Sequence, residues 1–429
     1  MTNSLKVAVI GAGVAGLTAA RELQRESLQV VVFEKSHQLG GIWAYDSRLE
    51  SDLLGVDPKR DVVHSSLYKS LKTNLPRELM SFTNFKFCEK VYSDPRMFPG
   101  HEEVLMFLRD FASHFEVTKL IRFNTMVTRV EVVDSSNTKF VVESNTNGVN
   151  SVELFDAVVV CNGHNSEPRL PMDIPGIETW SRKQMHSHNY RVPEPFRDEI
   201  VVVIGSGPSG VDIAKEIAMV AKEVHMSSRS SLVKLGKSDK FNNMWHHPEI
   251  KCISRDGLII FQDGFSIYAD TILHCTGYKI QVPFLNTNGI VRVEDKRIGP
   301  LYKHVFPPQL APRLSFVGIP DQSFPFLIIE CQSRWIAHTL SGKVSLPSED
   351  EMLSEVVKRY EEMKEKGLPE KTTHQLRFQL DYMEWMGAQT GMVVEKSIKD
   401  MAANFIQCIM TVGLDGCIDM FSQMYRSDH

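Results

Sequence analysis

Two glycine triplets carry the clearest chemical spacing in this 429-residue chain: Gly11, Gly13 and Gly16 in GAGVAG, and Gly205, Gly207 and Gly210 in GSGPSG. In G-x-G-x-x-G the first glycine makes a tight turn, the second admits a pyrophosphate, and the third lets helix and strand pack closely. The helix N-terminus then faces the phosphates. What each loop holds is decided further on. The residue 23 positions beyond Gly11 is Glu34, an acid suited to ribose hydroxyls; 23 beyond Gly205 is Ser228, followed by Arg229. A carboxylate repels a 2′-phosphate, whereas Ser227-Ser228-Arg229 can bind one through charge-assisted hydrogen bonds. The first loop is therefore expected to hold a nucleotide with free ribose hydroxyls and the second NADP, the competing reading of Arg229 being a solvated surface arginine. LGGIW (39–43) puts Gly41 and Trp43 in a loop whose backbone could close over a flat ligand, or in a plain turn with Trp43 in the core. FAD suits such a loop better than a second nicotinamide, and NADPH delivering hydride to FAD gives the two loops a joint chemistry.

These glycines need strands and helices to aim them. KVAVI (6–10) reads as a strand, LTAARELQRE (17–26) as a helix and VVVFE (30–34) as a second strand; IVVVI (200–204), VDIAKEIAMVA (211–221) and EVHM (223–226) repeat the pattern. A further duplication, DAVVVCNG (156–163) and DTILHCTG (270–277), shares Asp, an apolar strand, Cys, any residue and Gly. Each is expected to be the last strand of its unit, with Thr276 and Gly277 approaching the cofactor of the second. The fold class expected is α/β, with two Rossmann-like dinucleotide-binding domains, the NADPH-binding domain (169–283) inserted into a discontinuous FAD-binding domain (1–168 and 284–429). Residues 307–320 read as loop and strand, 349–367 as a charged amphipathic helix, and the stretch past about 388 carries weak signals. FPFLIIECQSRWIA (324–337) either lines a substrate pocket or is a buried helix, and no flavin contact is assigned to Gln332.

Composition narrows the function classes. A net charge of −5 with no basic block speaks against nucleic-acid binding. The seven cysteines show no C-x-x-C, which suits buried thiols in a reducing compartment and disfavours a flavin disulfide reductase. His186 and His188 lack companion ligands at zinc spacing, so no metal is expected. Ser209 in GPSG belongs to a phosphate loop rather than a nucleophile elbow. No uninterrupted apolar run approaches the roughly 18–20 residues that span a bilayer. With a strand almost at the start in place of a signal peptide, a cytoplasmic location is expected.

Over most of its length, to about residue 385, the chain resembles the flavin-containing monooxygenases, and in HSSLYKSLKTNLPRELMSF (64–82), HCTGY (274–278) and FPPQLAPRLSFVG (306–318) the plant members that oxygenate sulfur. The resemblance implies an enzyme in which NADPH reduces FAD, O₂ gives a flavin C4a-hydroperoxide, and a soft nucleophile takes the distal oxygen. The expected reaction is conversion of a small thioether to a sulfoxide. The alternatives are N-hydroxylation or oxidative decarboxylation of a small metabolite, and a flavoprotein without turnover. The resemblance makes Asn74 in KTNLP the positioning residue at the flavin ring, against a local role capping the turn before Pro76. It adds Lys35, Leu75 and Val127 to the cofactor-binding residues. The family pattern F-x-G-x-x-x-H-x-x-x-Y reads WSRKQMHSHNY (180–190), keeping His186 and Tyr190 but with Trp180 for Phe and Arg182 for Gly.

Overall fold

The computed structural model describes residues 4–134, 139–229, 234–377 and 380–424. The internal duplication is complete at the level of elements. β1 (Lys6–Ile10), α1 (Val14–Arg25), β2 (Gln29–Phe33) and β3 (Ala157–Val160) recur as β4 (Ile200–Ile204), α2 (Pro208–Ala218), β5 (Glu223–Ser227) and β6 (Thr271–His274). In each set the first strand runs parallel to both others, with Lys6 opposite Gln29 and Val7 opposite Ala157, and with Ile200 opposite Glu223 and Val201 opposite Thr271. Near-continuous Val and Ile runs suit strands covered on both faces, and Val7–Val9 and Val201–Val203 are buried. Both helices start directly on their glycine loops, three residues earlier than the apolar pattern suggests.

The duplicated aspartates clamp the strand starts. Asp156 Oδ2 accepts from the Lys6 N–H at 2.8 Å while the Asp156 N–H donates to the Lys6 carbonyl at 2.8 Å. Asp270 repeats both bonds with Ile200, at 2.9 and 2.8 Å.

The chain divides into two compact units: Met1–Ala44, Lys72–His164 and Ile280–His429 in one, Tyr45–Leu71 and Asn165–Lys279 in the other. These limits differ from the expected 169–283 insert chiefly in giving Tyr45–Leu71 to the second unit. The cause is a set of buried polar bonds that composition does not announce. The Arg191 guanidinium donates to the carbonyls of Asp46 (2.7 Å), Arg48 (3.0 Å) and Ser65 (3.1 Å). Buried Glu50 accepts from Arg60 Nε at 2.9 Å and lies 3.2 Å from His188 Nε2.

In the first unit β7 (Leu314–Phe316) pairs with β3, giving the order β7, β3, β1, β2 and Ile121–Arg122. In the second, Lys183–His186 pairs outside β6. Neither β3 nor β6 is an edge strand: Leu314–Phe316, later in the chain, and Lys183–His186, ahead of β4, each add one strand outside them. α3 (Pro325–Leu340) packs on α1, and its charged side chains are paired there: Arg334 lies 3.2 Å from Glu22 and 3.3 Å from Glu330, whose other oxygen accepts from the Thr83 N–H at 2.7 Å. The 324–337 segment is thus a buried helix. α4 (Glu349–Glu365) starts on a Ser348 capping box.

The stretch past 388 is helical. α5 (Lys396–Met424) is broken by Gly413, at φ 75° and ψ 172°. By length and composition Lys396–Gln423 is apolar enough to cross a membrane. No uninterrupted apolar run reaches that length, since uncharged Asn404, Gln407 and Thr411 interrupt it without lowering its hydropathy below that of a span. Ala402, Phe405, Cys417 and Phe421 are nevertheless buried against the first unit's core.

Candidate functional site

The two glycine loops have the same local construction. Gly11 adopts φ +105°, and a Cβ there would stand 2.6 Å from the Cys161 carbonyl oxygen; Gly205 adopts φ +112°, with the Cys275 carbonyl oxygen 2.4 Å from the corresponding position. At Gly16 and Gly210 a Cβ would stand 1.8 and 2.2 Å from the carbonyl oxygens of Gly11 and Gly205. The cysteine of each Asp-strand-Cys-x-Gly segment thus supplies the backbone oxygen that demands glycine in its own loop. The N-caps of α1 and α2, Gly13 and Gly207, have no side-chain hydrogen bond, so no side chain competes for the N–H groups of the first turn. These are cradles that a Cβ would fill, on uncapped helix N-termini, and they suit a pyrophosphate.

The loops diverge in what surrounds them. In the first unit Glu34 is buried; one carboxylate oxygen accepts from the Ala12 N–H at 2.7 Å and the other from the Ser36 N–H and hydroxyl at 2.8 and 2.7 Å. These fix the acid beside the glycine turn. Lys35 next to it is exposed. The LGG segment closes on the glycine loop itself: a Cβ on Gly41 would stand 2.9 Å from the Gly13 Cα, and the Gly40 N–H donates to the Ala12 carbonyl at 2.9 Å. Trp43 ends the short 3₁₀ turn Gly41–Trp43 and packs half-buried against the core. Val127, on the strand Thr125–Asp134, is buried in a separate apolar cluster with Ile10 and Phe33.

In the second unit Gly207 has open space around its Cα, and Ser209 is exposed in the first turn of α2. Ser228 is buried, with its hydroxyl 2.6 Å from that of Ser206 and its N–H donating to the His247 carbonyl at 3.1 Å. Arg229 is 56% exposed; its Nε lies 3.0 Å from Glu249 and Nη2 3.7 Å from Asp173. Thr276 donates through its hydroxyl to the Arg169 carbonyl, and Gly277 accepts the Arg169 N–H at 2.9 Å. Ser206, Glu249 and Asp173 escaped the sequence reading. Ser206 could have been found as the variable residue of G-x-G; the acids, 20 or more residues from Arg229 in either direction, carried no local signal.

Asn74 lies in the first unit with its side chain exposed, and its amide makes no hydrogen bond to any described residue. The local capping role belongs to its neighbour, since the Thr73 hydroxyl donates to the Leu75 carbonyl at 2.9 Å. Leu75 is buried in the core, and the segment is pinned on both sides of Asn74, Thr73 N–H to Pro99 O at 2.8 Å and Arg77 N–H to Met97 O at 3.1 Å. Gln332 is committed elsewhere: its carbonyl accepts from the Gly318 N–H at 2.9 Å and its amide donates to the Tyr382 hydroxyl at 3.0 Å.

The residues of the family pattern are structural supports of the second unit. His186 is fully buried, and burial, then neighbouring His274 and His188, lowers it to about 3, a neutral imidazole. The Tyr190 hydroxyl donates to Glu216 of α2 at 2.8 Å. Arg182 donates to the carbonyls of Ala269 and Asp256, both at 2.7 Å, and its guanidinium lies over Gly257, where a Cβ would stand 2.3 Å from the Arg182 Cζ.

A fold of two such nucleotide units with these loops defines a flavoprotein oxidoreductase, and comparison with known proteins gives the family. The flavin-binding monooxygenase-like family matches residues 4–246 and 241–417. The chain is 52% identical over 397 residues to the Arabidopsis thaliana flavin-containing monooxygenase FMO GS-OX-like 2, covering 90% of this chain and 85% of the relative. Among solved structures, the S-allyl-L-cysteine S-oxygenase from Allium sativum aligns with a TM-score of 0.91 and 45% identity over 99% of both chains. Tmm from Pelagibacter aligns with a TM-score of 0.79 and 28% identity over 93% of this chain and 90% of that one. The chain belongs to the flavin-containing monooxygenase family and is a flavin-dependent monooxygenase.

Proposed function

We propose that this enzyme oxygenates the sulfur of a small thioether to the sulfoxide, consuming NADPH and O₂, with FAD on the loop of the first unit and NADPH on that of the second. The observation that carries the cofactor assignment is the asymmetry between two loops of one construction: fixed Glu34 beside one, Ser228 and Arg229 beside the other. Gly11, Gly13, Gly16, Glu34, Lys35, Gly41, Trp43, Leu75 and Val127 would hold FAD; Gly205, Gly207, Ser209, Gly210, Ser228, Arg229, Thr276 and Gly277 would hold NADPH. When bound, NADPH supplies a hydride and FAD accepts it and activates oxygen. The protein's own part is positioning. Uncapped N–H groups take the pyrophosphates, Glu34 takes ribose hydroxyls, and Arg229 takes the 2′-phosphate in place of Glu249. Asn74, pinned by its neighbours and with an uncommitted amide, is the group that orients the reacting flavin ring. Likeness over the whole length to an S-oxygenase supports sulfur as the acceptor. A cytoplasmic setting fits seven cysteines that are all free thiols.

The test is anaerobic addition of NADPH to the purified flavoprotein, then air and a panel of methylthioalkyl glucosinolates, S-alkenyl cysteines, methionine and primary amines. Flavin bleaching followed by sulfoxide is expected. N-Oxygenated or decarboxylated products in place of sulfoxide would overturn the choice of acceptor, and a flavin inert to NADPH would overturn the enzyme reading.

A further inference from the structure

The C-terminal hairpin carries two thiols that the reaction above does not use. Gly413 breaks α5 into two arms, and the arms fold on one another. The Phe405 and Phe421 rings meet edge to face with centroids 5.2 Å apart, and Cys417 Sγ lies 3.7 Å from the Phe405 carbonyl oxygen. Cys408 stands three residues after Phe405, one helical turn on, so its side chain rises beside the same carbonyl that Cys417 touches. Cys417 is fully buried, whereas Cys408 is half-buried and accessible to a small oxidant. Burial, and then the adjoining Cys408, pushes the Cys417 thiol up to about 12, and the greater exposure of Cys408 makes it the sulfur that a dissolved oxidant meets first.

We propose that Cys408 and Cys417 form a reversible redox pair, closed by hydrogen peroxide into an intrachain disulfide that staples the two arms across Gly413. The Cys408 thiolate attacks one peroxide oxygen; the S–O bond forms, the O–O bond breaks, and the departing hydroxide takes a proton to give water and a sulfenic acid. Cys417 sulfur then attacks Cys408 sulfur and gives up its proton; the S–S bond forms, the S–O bond breaks, and a second water leaves. Two thiols lose two electrons in all, and the peroxide takes them. A dithiol reverses the sequence by exchange. The staple has a defined neighbourhood, because the Phe405 ring also packs on Phe98, with centroids 6.4 Å apart. Phe98 lies between Met97 and Pro99, whose carbonyls pin the Asn74 segment.

Peptide mapping of the peroxide-treated full-length protein tests this. No Lys or Arg lies between Asp400 and Tyr425, so trypsin leaves both cysteines in one peptide ending at Arg426. The expected product is that peptide lighter by two hydrogens, resistant to alkylation until dithiothreitol is added, and held together after cleavage before Asp415. Cys408→Ser abolishes the change, and Cys417→Ala diverts Cys408 to sulfinic acid. Cys408 over-oxidised while Cys417 still alkylates, a disulfide from Cys408 to any other cysteine or to a second chain, or both thiols untouched by peroxide would each overturn the pair.

Discussion

Replacing Arg229 with alanine separates the two nucleotide loops by a measurable number. In the proposed site the guanidinium meets the 2′-phosphate of NADPH, and a hydrogen bond to a charged group contributes about 1.5–3 kcal/mol. Two features reduce that figure. The side chain is 56% exposed, which favours the lower end, and its ion pair with Glu249 must be exchanged. Exposed pairs of that kind contribute about 0.2–1 kcal/mol. The net loss in Arg229→Ala is about 1–2 kcal/mol, or about 5- to 30-fold in the NADPH dissociation constant. NADH has no 2′-phosphate and should bind as before. Glu249→Gln should act in the opposite direction, tightening NADPH by up to about fivefold as the competing carboxylate is removed. The assay is the concentration dependence of flavin bleaching in anaerobic stopped flow with each nucleotide. Equal weakening of NADPH and NADH, or no change with NADPH, would refute the assignment of the second loop.

Other perturbations follow from the same geometry. Asn74→Ala removes an amide with no protein hydrogen bond, so melting should be unchanged, while sulfoxide formed per NADPH oxidised falls about tenfold, the equivalent of one hydrogen bond of about 1.4 kcal/mol in the reacting complex; unchanged coupling removes Asn74 from the site. Gly16→Ala forces a Cβ to 1.8 Å from the Gly11 carbonyl oxygen, and Gly210→Ala to 2.2 Å from that of Gly205. Each should cost about 3 kcal/mol or more. Gly16→Ala should lose flavin on purification, whereas Gly210→Ala should retain flavin and lose reduction by NADPH. Burial lowers His186 and His374 to about 3 and His274 to about 4. The unfolded chain takes up these protons below about pH 6.5 and the folded chain does not, so stability is full above that pH and declines as pH falls toward 4, by at most about 1.4 kcal/mol per pH unit for each histidine. Thermal melts from pH 7.5 to 5 read this directly, and a flat profile would contradict neutral burial.

Much of this was legible in the sequence because the signals are local. A glycine triplet between an apolar run and a helix, an acid or an arginine at a fixed offset, and the Asp-strand-Cys-x-Gly repeat each sit within one supersecondary unit. The cysteine's role was visible as a repeat but not as a cause, since the clash of its carbonyl with a Cβ at Gly11 or Gly205 exists only once the strands lie side by side. Other features depend on contacts between distant segments. Tyr45–Leu71 joins the second unit through Arg191 and Glu50, polar side chains that read as surface residues until buried partners are known. Glu249 and Asp173 reach Arg229 from different loops. The tail gave no clear periodicity because Gly413 divides it into two short arms whose apolar faces are set by the fold back.

Arg182 and Gly257 are sterically tied to one another. The guanidinium occupies the volume that any side chain at 257 would need, and the positive φ of 101° at Gly257 adds a second, independent restriction. A side chain at 257 would have to push the guanidinium aside and give up its two hydrogen bonds to the Ala269 and Asp256 carbonyls. Arg182, the departure from the family pattern, thus fills the space that the absent Cβ of Gly257 leaves open.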